Sequence, residues 1–231
     1  MNGVCGEQAH AIHYLREERR KSEHLGQPAS FALSLGRTTK MIILSEPLSV
    51  ERYLELFKDA CPEEFRPVAC PRCKRQGRLH SHGRYFRGLF SMRGAFTIPI
   101  YRFKCSNCKK PASLRPSFAA KGSQIALDVH QEVLEKRAEG VSLSEATQML
   151  TVPGSPFSER TIGRWVRFWD GRLKMSLARI WNTVLTRLPH LAIPKGRHKP
   201  KDEWGYLLPL WKLVSPLSLL EHLSMTVAGS V

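Results

Sequence analysis

The chain has 231 residues, 42% of them hydrophobic, enough for one domain or two small ones with real cores, which excludes a wholly disordered basic tail. It carries 36 Lys and Arg against 20 Asp and Glu, a net charge of +16, and points to a polyanionic partner such as nucleic acid, an anionic membrane surface or an acidic protein. Pro209, Lys212, Pro216, Glu221 and His222 interrupt the apolar stretch Leu207–Val227, so no membrane span is expected.

Residues 1–40 read as a weakly structured extension, with a short helical run over Glu7–His24 and a break at Gly26–Ser30. A charge run, Glu17–Lys21, stands where a secretory leader needs an apolar core, so none is expected. The pattern becomes regular at Met41, where the functional unit is expected to begin. Val50, Tyr53, Leu54 and Phe57 then share one helical face behind Ser49 as N-cap.

Two cysteine doublets follow, Cys70-Pro-Arg-Cys73 and Cys105-Ser-Asn-Cys108. Four thiolates in two C-x-x-C turns are the ligand set of a closed, structural site for one Zn²⁺. A redox dithiol needs only one doublet. Between them Arg78–Phe86 reads as a strand, Gly88–Gly94 as turn material, and the alternation of Phe96, Ile98 and Ile100 as the opposing strand, with Pro99 marking an edge. Glycine often follows the second cysteine of such a turn, for its positive φ; here Lys74 and Lys109 stand there. The aromatics Tyr85, Phe86, Phe90, Phe96, Tyr101 and Phe103 are expected as a miniature core, stacking on unpaired bases being the alternative. From Arg66 to Gly122 there are 14 Lys and Arg and no Asp or Glu. Arg75, Arg78, Arg84, Arg87, Lys109 and Lys110 are the expected phosphate contacts within residues 41–122, the helix-plus-ribbon unit.

Beyond Gly122 the period becomes helical, over residues 123–188. Ile125, Val129, Val133 and Leu134 mark one helix ending at Gly140, and Ser142–Glu145 has the form of a capping box opening a second. Thr151–Phe157 reads as a turn. Ser158 caps a third helix, Glu159–Trp169, and a fourth amphipathic run follows from Leu173 to Leu188. Two short helices joined by a turn suggest helix-turn-helix architecture. Arg160, Arg164 and Arg167 share the face opposite Ile162, Trp165 and Trp169, with Ser158 and Thr161 at the N-terminal end, as suits a helix that meets bases and phosphates. Residues 189–231 read as a basic linker and an apolar segment.

The doublets, the stretch Gly77–Arg84 and Tyr101–Cys105 resemble the N-terminal zinc-ribbon region of bacterial insertion-sequence transposases. The same order is found in a bacterial zinc-ribbon family of unknown function whose members continue into a helix-turn-helix. The resemblance spans about Met41 to Trp169 and implies Cys70, Cys73, Cys105 and Cys108 as ligands and Ser158–Arg167 as a recognition helix. The expected class is therefore α+β, a four-cysteine zinc ribbon followed by an all-α region. The expected function is zinc-stabilised binding of double-stranded DNA in the cytoplasm, with a homodimer through the helical or C-terminal region. No catalytic residue is expected: Leu89 replaces the lysine of a P-loop, and the residues after Trp169 are too few for a two-metal nuclease core. The alternatives are a truncated or split transposase subunit, or a protein-interaction adaptor.

Overall fold

The computed structural model describes residues 40–150, 157–194, 196 and 198–226. The expected Glu7–His24 helix, Cys5, and residues 151–156 of the expected turn lie outside them. Among the described residues the fold is mixed α+β, with one four-stranded sheet and six α-helices. Strand β1 (Lys40–Leu44) leads into helix α1 (Val50–Leu56), which Ser49 caps by accepting from the Arg52 amide. Strands β2 (His80–Ser91), β3 (Gly94–Lys104) and β4 (Pro111–Pro116) follow. The helices are α2 (Leu127–Ala138), α3 (Leu143–Met149), α4 (Glu159–Arg187), α5 (Pro200–Val214) and α6 (Leu219–Thr226).

The sheet order is β1-β4-β3-β2, with β1 parallel to β4 and the other pairs antiparallel. The hairpin differs from the sequence expectation. Ser91 pairs with Gly94, so the turn is only Met92 and Arg93, and the supposed turn residues Gly88–Phe90 continue the strand. They do so because Leu89 is buried and the Phe90 backbone is paired on a second side, its N–H donating to the Gln124 carbonyl and its carbonyl accepting from the Ala126 N–H. Pro99 is not on an outer strand, yet β3 pairs with β4 only from Tyr101 to Lys104. At Pro99 the β4 side of the ladder is therefore open, which is what proline requires.

Val50 and Tyr53 of α1, with its C-cap Phe57, pack against Ile98, Ile100, Phe103 and Leu114 of the sheet. The buried Tyr53 hydroxyl donates to the Pro99 carbonyl at 2.6 Å, and the Tyr101 hydroxyl to the Phe57 carbonyl at 2.9 Å. The aromatic expectation divides: Tyr101 and Phe103 are core, Phe90 and Phe96 are half-buried, and Tyr85 and Phe86 are exposed. The whole His80–Phe86 half of β2 faces solvent, so its apolar residues gain no cover.

The third helix and the following amphipathic run are one 29-residue helix, α4. Asp170 and Gly171 do not end it; the Asp170 carboxylate accepts from Trp204 Nε1 at 2.8 Å, which fixes it onto α5. Within the apolar C-terminal segment, residues 200–214 and 219–226 form helices. Pro200 opens α5, where its missing N–H costs nothing, and Trp204, Leu207, Trp211, Leu220 and Leu223 pack with Trp169, Leu173, Ile180 and Val184 of α4. No described helix is long and apolar enough to cross a membrane.

His130 on α2 lies inside this helical assembly, 5% exposed. Its ring lies tilted against Trp165, centroids 4.1 Å apart, and its Nδ1 accepts from Trp169 Nε1 at 3.2 Å. Burial pushes its pKa down to about 4 from 6.5. The folded protein thus keeps it neutral while the unfolded chain takes up a proton below 6.5. Stability is lost as pH falls from 6.5 towards 4, by up to about 3 kcal/mol. His130→Gln retains an acceptor for Trp169 without that titration. Its unfolding free energy is expected to fall less over this window in urea titrations; parallel curves for the two proteins would show that His130 is not held neutral.

Candidate metal centre and basic surface

The metal-ligand candidates sit where the hairpin strands end. The first doublet lies in a small loop closed by the Ala69–Gln76 bridge, before β2, and the second forms the connection between β3 and β4. The two turns are alike. Cys70 N–H donates to the Arg75 carbonyl and Lys74 N–H to the Cys70 carbonyl; Cys105 N–H donates to the Lys110 carbonyl and Lys109 N–H to the Cys105 carbonyl. Each turn needs a left-handed residue after its second cysteine, and lysine supplies it in both, with φ of 60° at Lys74 and 57° at Lys109. The turns therefore form without the glycine that usually stands there, at a backbone cost of roughly 1–2 kcal/mol each.

All four sulfurs lie within 4.8 Å of one another. Cys70 Sγ and Cys108 Sγ are 3.7 Å apart, as are Cys73 Sγ and Cys105 Sγ. A tetrahedron with metal–sulfur bonds of about 2.3 Å has edges of about 3.8 Å, whereas a disulfide would need about 2.05 Å. The arrangement fits one tetrahedral cation and shows no disulfide. Polar groups around it favour thiolate. The Arg75 N–H, then the Asn107 side chain, draw the Cys73 pKa down to about 6. The Cys108 amide similarly lowers that of Cys105. Cys108 goes the other way: the Lys110 amide lowers it, but burial and the neighbouring sulfurs push it up to about 11. Asn107 joins the two turns, its Nδ2 donating to Cys73 Sγ at 3.7 Å and its Oδ1 accepting from Arg75 at 3.2 Å. That residue escapes a motif search because it only orients a ligand.

The expected anion-contacting residues fall in two groups. Lys109 and Lys110 are exposed beside the sulfur cluster, with Arg75 held against Asn107. Arg78, also exposed, pairs with Glu63 at 2.5 Å. Arg84, although exposed, and Arg87 both bond to the fold itself. Arg84 donates to the carbonyls of Lys58 and Asp59 and to the Tyr101 hydroxyl, and half-buried Arg87 to the Ala120 carbonyl. The second group lies on α4. Ser158 caps it, accepting from the Thr161 N–H, and Arg160, Arg164 and Arg167 are all exposed. An open groove of about 850 Å³ lies beside them, lined by Phe90, Gln124, Phe157, Thr161, Arg164 and Phe168 among others. Behind this face Gly163 lets α3 approach: a Cβ there would meet Leu143 at 3.3 Å. The predicted capping box, Ser142 with Glu145, is present at the start of α3.

Elemental analysis of the purified chain is expected to find one metal ion per molecule, lost in Cys70→Ser. Chelation is expected to strip exchange protection from the Cys105 and Lys109 amides while leaving α5 and α6 protected. Unchanged protection at Cys105 and Lys109 would show that the sulfur turns hold without a cation. Comparison of the chain with family models, curated proteins and solved structures finds no match.

Proposed function

We propose that the chain is a zinc-stabilised protein that binds double-stranded DNA, with α3 and α4 as its helix-turn-helix pair and the sulfur cluster holding one structural Zn²⁺. The observation that carries the reading is the exposed row Arg160, Arg164 and Arg167 at the start of α4. The row stands on a rigid support. Ile162, Trp165 and Val166 behind it pack with Val129 and Val133 of α2, and Gly163 admits Leu143 of α3. An N-terminal helical end with arginines outward can enter a major groove, grip guanine bidentately and neutralise phosphate.

Four soft thiolates at tetrahedral spacing suit zinc, which completes its coordination with them and leaves no position for substrate. In that state the ion stabilises the sheet end and is not a reagent. The chain's own part is to hold Lys109 and Lys110 beside the cluster, where they add sequence-independent, salt-sensitive attraction. The similarity of the doublets and of the segment before β4 to the ribbon region of insertion-sequence transposases supports the same division of labour.

The test is a selection of genomic fragments by the zinc-loaded protein, followed by binding titrations on the enriched duplex. Arg164→Ala is expected to cost roughly tenfold or more on that duplex and to level its preference over unrelated ones. Lys109→Ala is expected to weaken all duplexes alike and to reduce the salt slope by about one. An unaltered ranking of duplexes in Arg164→Ala would overturn the recognition-helix assignment.

A further inference from the structure

Beyond Arg167 the outward face of α4 changes character. Phe168, Gly171, Met175, Ala178 and Asn182 follow one another at intervals of three, four, three and four residues, and all five are exposed. This is the heptad spacing of a helix seam. It lies on the side of α4 opposite the buried Trp169, Leu173, Ile180 and Val184. Phe168 is 52% exposed and Met175 73% exposed, large apolar side chains on a helix that already has a full internal face. Gly171 sits mid-helix with nothing within 4 Å of where a Cβ would lie. Nothing in the fold requires glycine there, although an exposed helical glycine costs about 1 kcal/mol against alanine. Gly171 and Ala178 alternate along the seam with Phe168 and Met175, and such small residues allow a second helix to come close.

The flanks of the seam decide what fits. Arg167 and Lys174 precede Phe168 and Met175, while Arg172 and Arg179 follow Gly171 and Ala178. The Arg172 guanidinium lies 5.0 Å over the Phe168 ring, covering part of it. The only acid from Arg167 to Asn182 is Asp170, which is turned inward to Trp204. A second copy would set these four cations against another four, in either helix orientation. A phosphate backbone would be drawn to the flanks but gains little from methionine and alanine at the centre. We propose that the Phe168–Asn182 face of α4 docks an amphipathic helix of a partner protein, apolar along its seam and acidic on both flanks. Asn182, a polar residue at a seam position, would fix the register of the pair. The partner helix would span about 21 Å, the fourteen helical rises from Phe168 to Asn182. This surface adjoins the arginine row and shares Arg167 with it, but its apolar seam is argued independently of the DNA reading.

The probe is a three-heptad synthetic peptide with Leu at its seam positions and Glu at both flanks, titrated by fluorescence anisotropy into the full-length, metal-loaded chain. The same peptide with Lys flanks and a scrambled acidic peptide of equal charge are the controls. The acidic heptad peptide is expected to bind and the two controls are not. Met175→Glu is expected to weaken binding at least roughly tenfold, the scale of one buried apolar anchor removed and a like charge added. Gly171→Leu is expected to raise the melting temperature while also weakening the peptide, which separates loss of docking from loss of fold. No binding, or equal binding of the scrambled peptide, would overturn the proposal. So would a concentration-dependent dimer that Met175→Glu abolishes, which would make a second copy the occupant. A Met175→Glu loss of DNA affinity as large as that of Arg164→Ala would assign the face to nucleic acid instead.

Discussion

Four sulfurs can stand at tetrahedral spacing only if two turns some 30 residues apart in sequence are brought to one place, and the β2–β3 hairpin does this. Its strands carry the first doublet, at the entry to β2, and the second, at the exit from β3, to the same end of the sheet. The far end of the hairpin is fixed as well. There the Phe90 backbone bonds to Gln124 and Ala126, and the Asp128 carboxylate accepts from the Met92 N–H. One hairpin therefore runs from the metal-ligand cluster to the first turn of α2, and α3 and α4 are positioned from there. Sheet and helices are joined by backbone hydrogen bonds rather than by a slack linker.

The same geometry explains how a stretch with 14 cations and no acid folds at all. Part of that charge is answered from outside it: Glu63 pairs with Arg66 and Arg78, and Glu51 with Arg93. Another part is spread over carbonyls, as at Arg84 and Arg87. Arg115, only 2% exposed on β4, donates to the Ala119 carbonyl and to Ser224 of α6, and burial with Arg87 nearby pushes its pKa down to about 10. Lys74, Lys104, Lys109 and Lys110 stay exposed beside the doublets, and Lys121 stays exposed at the end of the stretch.

Much of the site was legible because its signals are local. A C-x-x-C turn, a serine cap and a capping box each lie within four residues, and all of those at Ser49, Cys70, Cys105, Ser142 and Ser158 occur where the pattern placed them. The losses are non-local. Lys40–Leu44 pairs in parallel with Ala112–Pro116, about 70 residues away, and neither segment declares itself. The first is short, and the second begins and ends in proline and buries an arginine. The continuity of α4 through Asp170-Gly171 was hidden for the same reason, since the partner that fixes Asp170 is Trp204 on α5.

Lys74 and Lys109 have a consequence for how such a protein can be improved. Glycine would relieve the left-handed strain at both turns, so the easiest route to a more heat-resistant molecule removes two cations from the metal end. Thermal robustness and attraction to polyanions pull in opposite directions at these two residues. A designer must choose between them there, whereas most surface positions allow both to be tuned separately.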